Sequence, residues 1–451
     1  MKEVYPLDFQ DNIVDYGCND TIGFTMTESH TPIFYGWWNV LTGFIGMALS
    51  YAMFTVFTFG TFVQPLESEF GWHRGEMSFA LTMTNIAVVI ASPSIGVFID
   101  RLGVRRVLIP SVILMGVLVA SMSRLTGNIW LLYAMYFLIP LLGAGTLPQS
   151  YSRVIINWFS RRRGLALGIS LSGFGVGATL IPALAQLMID HHGWRYAYLG
   201  FAAAILCVSL PLTIFLLRET PAEMGLVPDG KLITGPENSS LEISSYVNLS
   251  ITEAAKTRSF WLILTSFLLV GIAITSILAH LVPMLIGRGI SPEKAALCMS
   301  SLGIGLVCGR ILGGMMMDHF FAPYVTAFFL LFLVAGISIL ALGTANDFVI
   351  IAAIFVGLAT GSEISEIAYL CSRYFGTMSF CQIYGTMFAA FQIGSAFGPP
   401  IMGYYYDHAG NYIGVLWLLA IIAALGTFLI ASLGPYPSQL RETSLEPVAS
   451  D

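Results

Sequence analysis

Gly96-Val97-Phe98-Ile99-Asp100-Arg101-Leu102-Gly103-Val104-Arg105-Arg106 is a charged turn in a chain that is otherwise apolar for most of its length. The apolar runs 76–99 and 106–123 flank it, and each is long enough, at about 20 residues, to cross a bilayer. One acid and three arginines between two such runs mark a membrane face. The turn has an echo: Gly96-x-x-x-Asp100 returns as Gly314-x-x-x-Asp318, 218 positions later. Gly177, Pro182, Asp190 and Gly193 return as Gly394, Pro399, Asp407 and Gly410, 217 positions later. Matching offsets in different runs point to an internal repeat.

Composition agrees with a membrane chain. Hydrophobic residues make up 56% and charged residues 10%, against roughly 45–50% and 25% in soluble domains. Mean hydropathy is +0.78. The net charge of −6 offers no basic surface for nucleic acid. Cys18, Cys207, Cys298, Cys308, Cys371 and Cys381 are scattered without metal-ligand spacing, and read as buried small residues or free thiols. The acidic first thirty residues lack the basic and apolar regions of a signal peptide.

Twelve apolar runs are expected to span: 36–63, 76–99, 106–123, 129–157, 164–189, 196–217, 260–286, 294–317, 323–343, 348–371, 382–406 and 412–433. The fold expected is all-α: twelve transmembrane helices in two six-helix repeat halves. An N-terminal tail (1–35) precedes the first half (36–217). A polar linker (218–259), with a short interfacial helix near Thr252–Arg258, leads to the second half (260–433) and a C-terminal tail (434–451). With the N-terminus in the cytoplasm, thirteen of the twenty Lys and Arg fall inside, five outside, and Arg153 and Arg310 within runs. Both tails are then cytoplasmic, in a plasma membrane or bacterial inner membrane. The glycosylation-like triplets at Asn19, Asn238 and Asn248 would face the cytoplasm unmodified.

The loop from Gly96 to Arg106 resembles the signature of the major facilitator superfamily. Its physical logic is a breakable clamp. Gly96 admits a close helix, Asp100 can pair with a base on a neighbour, and Arg101 and Arg105 hold the face. Asp318, Arg162 and Arg373 complete the expected gate. A narrower resemblance, to the monocarboxylate transporters and oxalate/formate exchangers, is carried by several stretches. They are Trp158-Phe159-Ser160-Arg161-Arg162-Arg163-Gly164-Leu165-Ala166-Leu167-Gly168, Tyr35-Gly36-Trp37-Trp38, Arg373-Tyr374-Phe375-Gly376 and Tyr384-Gly385. The glycines at small-xxx-small spacing are equally what tight helix packing requires.

Charges inside the runs bear on function. An ionised arginine at membrane depth costs on the order of 2.5–3.5 kcal/mol by insertion scales. Counted at about 1.5 Å per residue, Arg310 and Arg153 lie roughly 12 Å and Glu363 roughly 15 Å from the charged ends of their helices. Glu366 shares a face with Glu363. None of the four has a charged counterpart at the repeat offset. In the family resembled, the eighth-helix arginine binds the substrate carboxylate, and Arg310 in Gly309-Arg310-Ile311-Leu312-Gly313 matches it. A guanidinium fork suits a carboxylate. Other readings are a structural ion pair with Glu363, and two glutamates that simply neutralise Arg310 and Arg153.

The chain departs from the family where coupling is concerned. Thr55, after Ser50-Tyr51-Ala52, stands where proton-coupled carriers have lysine, and Leu306 where they have aspartate. Phe391 and Gln392 stand where oxalate exchangers place a lysine. One central arginine from the second half, with Arg153 as a candidate second contact to the substrate, favours a monoanion. Glu363 and Glu366 become the candidate proton carriers. Tyr51, Thr55, Tyr369 and Phe391 are candidate substrate-lining residues, and Gln149 and Gln392 candidate polar contacts. His280 falls near the outer surface.

The expectation is a secondary transporter of a small, monocarboxylate-like organic anion, with protons as a candidate co-substrate, working as a single chain by alternating access. The alternative is a carrier or exporter of a neutral, larger polar or hydrophobic solute. A transport-fold sensor would need larger soluble parts. A membrane enzyme would need a nucleophile–base pair, metal cluster or phosphate loop that the sequence does not display. No cofactor is expected.

Overall fold

A computed structural model describes residues 34–230, 248–343 and 348–437. Cys18, Asn19, Asn238 and much of the expected tails and linker lie outside them. Sixteen α-helices are described. Before the linker come α1 (Gly36–Ala48), α2 (Phe59–Phe70), α3 (Arg74–Leu102), α4 (Val104–Met122), α5 (Ile129–Leu142), α6 (Pro148–Trp158), α7 (Arg163–His192), α8 (Trp194–Ala204) and α9 (Leu210–Phe215). After it come α10 (Ile251–Ala254), α11 (Arg258–Gly287), α12 (Pro292–His319), α13 (Ala322–Leu342), α14 (Phe348–Tyr374), α15 (Phe380–Ala409) and α16 (Ile413–Ala431).

Ordinary signals set the helix ends. Asn128, Thr257 and Ser291 accept amide hydrogens of the first turns of α5, α11 and α12. Pro148 and Pro292 stand in first turns, where a missing N–H costs nothing. Gly410 closes α15 at φ 68°, a conformation glycine adopts without strain.

Eleven described segments are long and apolar enough to cross a membrane, so the chain is an integral multi-pass membrane protein. The run 382–406 forms the 30-residue helix α15, equal in length to α7. It is absent from the eleven because Gln382, Gln392, Gly403 and the Tyr404–Tyr406 trio dilute its apolar character. The first run also differs from expectation. α1 ends at Ala48, a π-helical turn follows at Met53–Phe57, and α2 continues to Phe70. Run 129–157 divides likewise into α5 and α6 around a 3₁₀ turn at Gly143–Thr146. Pro148 cannot donate to the turn before it, which favours a break there. The interfacial helix is shorter than expected: only α10 forms, and Arg258 already begins α11.

Small residues let the helices touch backbone to backbone. A Cβ on Gly309 would strike Leu358 of α14, and one on Gly394 would strike Leu268 of α11. The same holds between helices on either side of the linker: Gly164 of α7 meets Gly314 of α12, and Gly96 of α3 meets Cys381 of α15. Cys298, Cys371 and Cys381 are buried, Cys207 and Cys308 exposed, and none of these is bridged.

Candidate functional site

Arg310 is 1% exposed, in the linker-side half of α12. Gly309 and Gly313 bring α12 against Leu358 and Ser362 of α14, so the side chain reaches that helix's backbone. Nε donates to the Gly361 carbonyl at 2.7 Å, and Nη1 donates to the Leu171 carbonyl of α7 at 2.8 Å. Nη2 carries no hydrogen bond to the described residues. Glu363 and Tyr384 are the titratable side chains that interact electrostatically with the guanidinium.

A direct Arg310–Glu363 ion pair is not formed. Among the described residues the ion pairs are Arg74–Glu67, Arg153–Asp100 and Arg195–Glu69. A Cβ on Gly361 would strike the Leu306 carbonyl, so α12 and α14 pack backbone to backbone here, and the Gly361 carbonyl accepts from the guanidinium. Glu363 is buried with Oε2 unpartnered, and Glu366 is fully buried with both carboxyl oxygens unpartnered among the described residues. Neither carboxyl joins an ion pair among the described residues, and Ser362 lies one turn before Glu366.

Arg153 also departs from expectation. It does not join Arg310 or the glutamates. Nη1 bonds Asp100 at 2.6 Å and the Thr377 carbonyl, beyond the linker, at 2.6 Å. Asp100 in turn accepts from the amides of Cys381 at 3.1 Å and Gln382 at 2.9 Å. These are the second and third residues of α15, whose amides have no partner inside the helix. Asp318 does the same for α7, accepting from Gly164 at 2.6 Å and Leu165 at 2.9 Å. Each acid thus caps a helix from the other side of the linker, where a helix N-terminus favours negative charge. Arg163 adds a 3.3 Å bond to Ser372. The described hydrogen bonds between the segments before and after the linker cluster toward the linker-side ends of their helices and in the loop before α15, except that Cys381 Sγ reaches the carbonyl of Gln149 in the first turn of α6.

The remaining candidates scatter. Gln149 is engaged with Ser92, donating to its carbonyl at 2.8 Å and accepting from its hydroxyl at 3.0 Å. Thr55 donates to the Tyr51 carbonyl at 3.0 Å, and both side chains are buried. Tyr369 turns toward the linker face, where Arg373 stacks on its ring and donates to its hydroxyl at 3.2 Å. Phe391 packs parallel to Phe388, and Gln392 is half-buried. Arg105 donates to the Ile214 carbonyl at 2.7 Å, while Arg101 and Arg162 are exposed. His280 contacts the Pro399 carbonyl and the Tyr412 hydroxyl.

Sequence reasoning passed over Leu171, Thr377 and Tyr384 as site residues. Leu171 and Thr377 act through backbone carbonyls, which leave no residue-type signal. Tyr384 carried one, as half of a Tyr-Gly pair; its ring is fully buried, and its hydroxyl points to the carbonyl of Ile364, next to Glu363, at 3.5 Å.

The family model described as Major Facilitator Superfamily matches residues 43–380. Monocarboxylate transporter 13 of Rattus norvegicus is 25% identical over 421 residues, covering 89% of this chain and 88% of that protein. The crystal structure of the transporter FucP in the outward conformation is 15% identical, covers 87% of this chain and 97% of its own, and aligns with TM-score 0.64. The proton:xylose symporter XylE, bound to 6-bromo-6-deoxy-D-glucose, is 14% identical, covers 89% and 96%, and aligns with TM-score 0.70.

Proposed function

This chain belongs to the major facilitator superfamily and is a secondary transporter, not an enzyme; we propose that its cargo is a small organic monoanion of the monocarboxylate type. The observation that carries this reading is the unbonded Nη2 of a deeply buried Arg310. Two backbone carbonyls fix the guanidinium plane and leave one amino group for an anion. A carboxylate there meets a charge-assisted donor in a low-dielectric site, where such a bond is strong. Arg153 is engaged elsewhere, so one cation is left for the cargo, which suits a single negative charge. The similarity to monocarboxylate transporter 13 supports the same class.

The expected architecture is two six-helix halves, 36–217 and 260–433, with the tails and linker cytoplasmic. The two Asp clasps support it. Asp100 and Asp318 are 218 positions apart, and their partners Gly164 and Cys381 are 217 apart. In this reading the linker face is closed, and cargo enters from the opposite side. Rocking of the halves breaks the clasps and opens the cytoplasmic side. Glu366 is the candidate proton carrier: its carboxyl is fully buried one turn from Glu363 and makes no ion pair among the described residues. Glu363 balances the charge of Arg310.

The test is uptake of labelled monocarboxylates into proteoliposomes, with and without an inward proton gradient, for the native chain and Arg310→Ala. Gradient-driven uptake lost in the variant is expected. Full uptake by Arg310→Ala, or uptake only of amides and other neutral analogues, would overturn the anion reading in favour of a neutral-solute carrier.

A further inference from the structure

The two ends of the linker hold the two loops from which the clasped helices start. Asp229 accepts from the amides of Ser160 at 3.2 Å and Arg161 at 3.0 Å. These residues precede α7, whose next amides bind Asp318. Asn248 accepts from the amide of Thr377 at 3.0 Å, and Leu249 donates to the Phe375 carbonyl at 2.9 Å. These residues precede α15, whose first amides bind Asp100. Ser160 and Thr377 are 217 positions apart, the same offset that relates Gly164 to Cys381. A side-chain oxygen of the linker therefore reaches the corresponding amide in both repeats.

Two further observations separate this from incidental surface bonding. Asp229 is the one described non-glycine residue with positive φ, 63°. Such a conformation is uncommon outside glycine and marks a constrained site. Thr377 has a second role, since its carbonyl accepts from Arg153 and so closes a chain Asn248–Thr377–Arg153–Asp100. The linker is also seated at its start. Glu219 accepts from the Val104 amide at 3.0 Å, directly after the Asp100 turn.

We infer that Asp229 and Asn248 are positioning residues for the linker-face closure, each holding the loop that aims a helix N-terminus at its aspartate. Ordering these loops in advance lowers the entropy lost on closure. Separation of the halves must then strain the linker's hold, so the linker tunes how often the linker face opens. This rests on the alternating-access reading and is independent of the cargo.

The experiment needs no substrate. Cys381 is fully buried inside the closure, and Cys298 is fully buried in α12 near its opposite end. Two chains are made, each keeping one of these as its sole cysteine, and alkylation by N-ethylmaleimide is timed in lipid nanodiscs. Asn248→Ala is expected to speed Cys381 labelling about fivefold, as loss of one hydrogen bond implies, and Asp229→Ala, which loses the bonds from two amides, by at least as much. Cys298 labelling is expected to stay unchanged. Asp229→Asn and Asn248→Asp, which keep an acceptor oxygen, are expected to restore the slow rate. Unchanged Cys381 labelling in both alanine variants would overturn the inference. Equal acceleration at Cys298 would do so too, because it would mark general loosening. A failed uptake assay leaves this result untouched.

Discussion

Arg310 donates through Nη1 to the main-chain carbonyl of Leu171, 2.8 Å away on a helix from before the linker. The residue proposed to hold cargo is thus itself a contact across the closure. Its planar fork reaches Gly361 and Leu171 from two different nitrogens and leaves a third, a fixed arrangement that the single nitrogen of lysine does not reproduce. Arg310→Lys should keep the charge and the fold but weaken cargo binding roughly tenfold or more, with KM rising further than kcat falls. Concentration-dependent uptake in proteoliposomes measures this. Native kinetics in the lysine variant would show that the fork geometry is unimportant.

The two aspartate clasps should differ in weight. Asp318 holds two amides, whereas Asp100 holds two amides and Arg153. Removing one partner of a buried ion pair costs about 3–5 kcal/mol when the other charge stays buried. Asp100 and Arg153 side chains are 9% and 17% exposed, so the lower end applies. Loss of a hydrogen bond to a charged group costs about 1.5–3 kcal/mol. Asp100→Asn should therefore shift the chain toward an open linker face more than Asp318→Asn does. Spin labels at Arg161 and Met378, in the loops before α7 and α15, report the separation. Equal distance distributions in the native chain and Asp100→Asn would remove the clasp from the gate.

Glu363 and Glu366 should separate binding from coupling. Glu366→Gln keeps the shape of the neutral acid. It is expected to retain exchange of cargo across a loaded vesicle but to lose uptake driven by a proton gradient. Glu363→Gln leaves Arg310 without its buried counter-charge and should impair both. Gradient-driven uptake at the native rate in Glu366→Gln would exclude that residue as the proton carrier.

How far the sequence could be read depended on which atoms carry the contact. The Gly96–Arg106 turn and its echo at Gly314–Asp318 pointed to the repeat because they hold side chains with few alternatives. Arg310 was legible because a cation in an apolar run is costly. Arg153 is equally costly, yet its partner was not readable: counting depth along one helix places a residue on an axis but not on a face. Its mate Asp100 lies on α3, and the Thr377 carbonyl on a loop 224 positions away. Gln149 read as a free polar group for the same reason, although Ser92 engages it. The break in the first run at Met53–Phe57 has no proline to announce it.

On the face opposite the linker, Glu69 offers a pH test outside the spans. It lies in α2, past the first spanning segment, Gly36–Phe57. Arg195 donates to it at 2.5 Å and 2.8 Å, and Trp194 Nε1 donates at 2.7 Å. The Arg195 bonds, with the Trp194 bond second, hold the Glu69 carboxyl below its ordinary value. A carboxyl with a depressed folded value stabilises fully above its unfolded pKa, near 4.3. That stability disappears as pH falls through the folded value. Both side chains are more than a third exposed, at 44% and 37%, so solvent screening limits the effect to less than ~1 kcal/mol. Glu69→Gln should lower the unfolding temperature slightly at pH 7, and the gap should close as pH falls through the folded value. High salt should shrink it as well. A gap that persists unchanged at low pH would mean that Glu69 acts by packing around Trp194 rather than by charge.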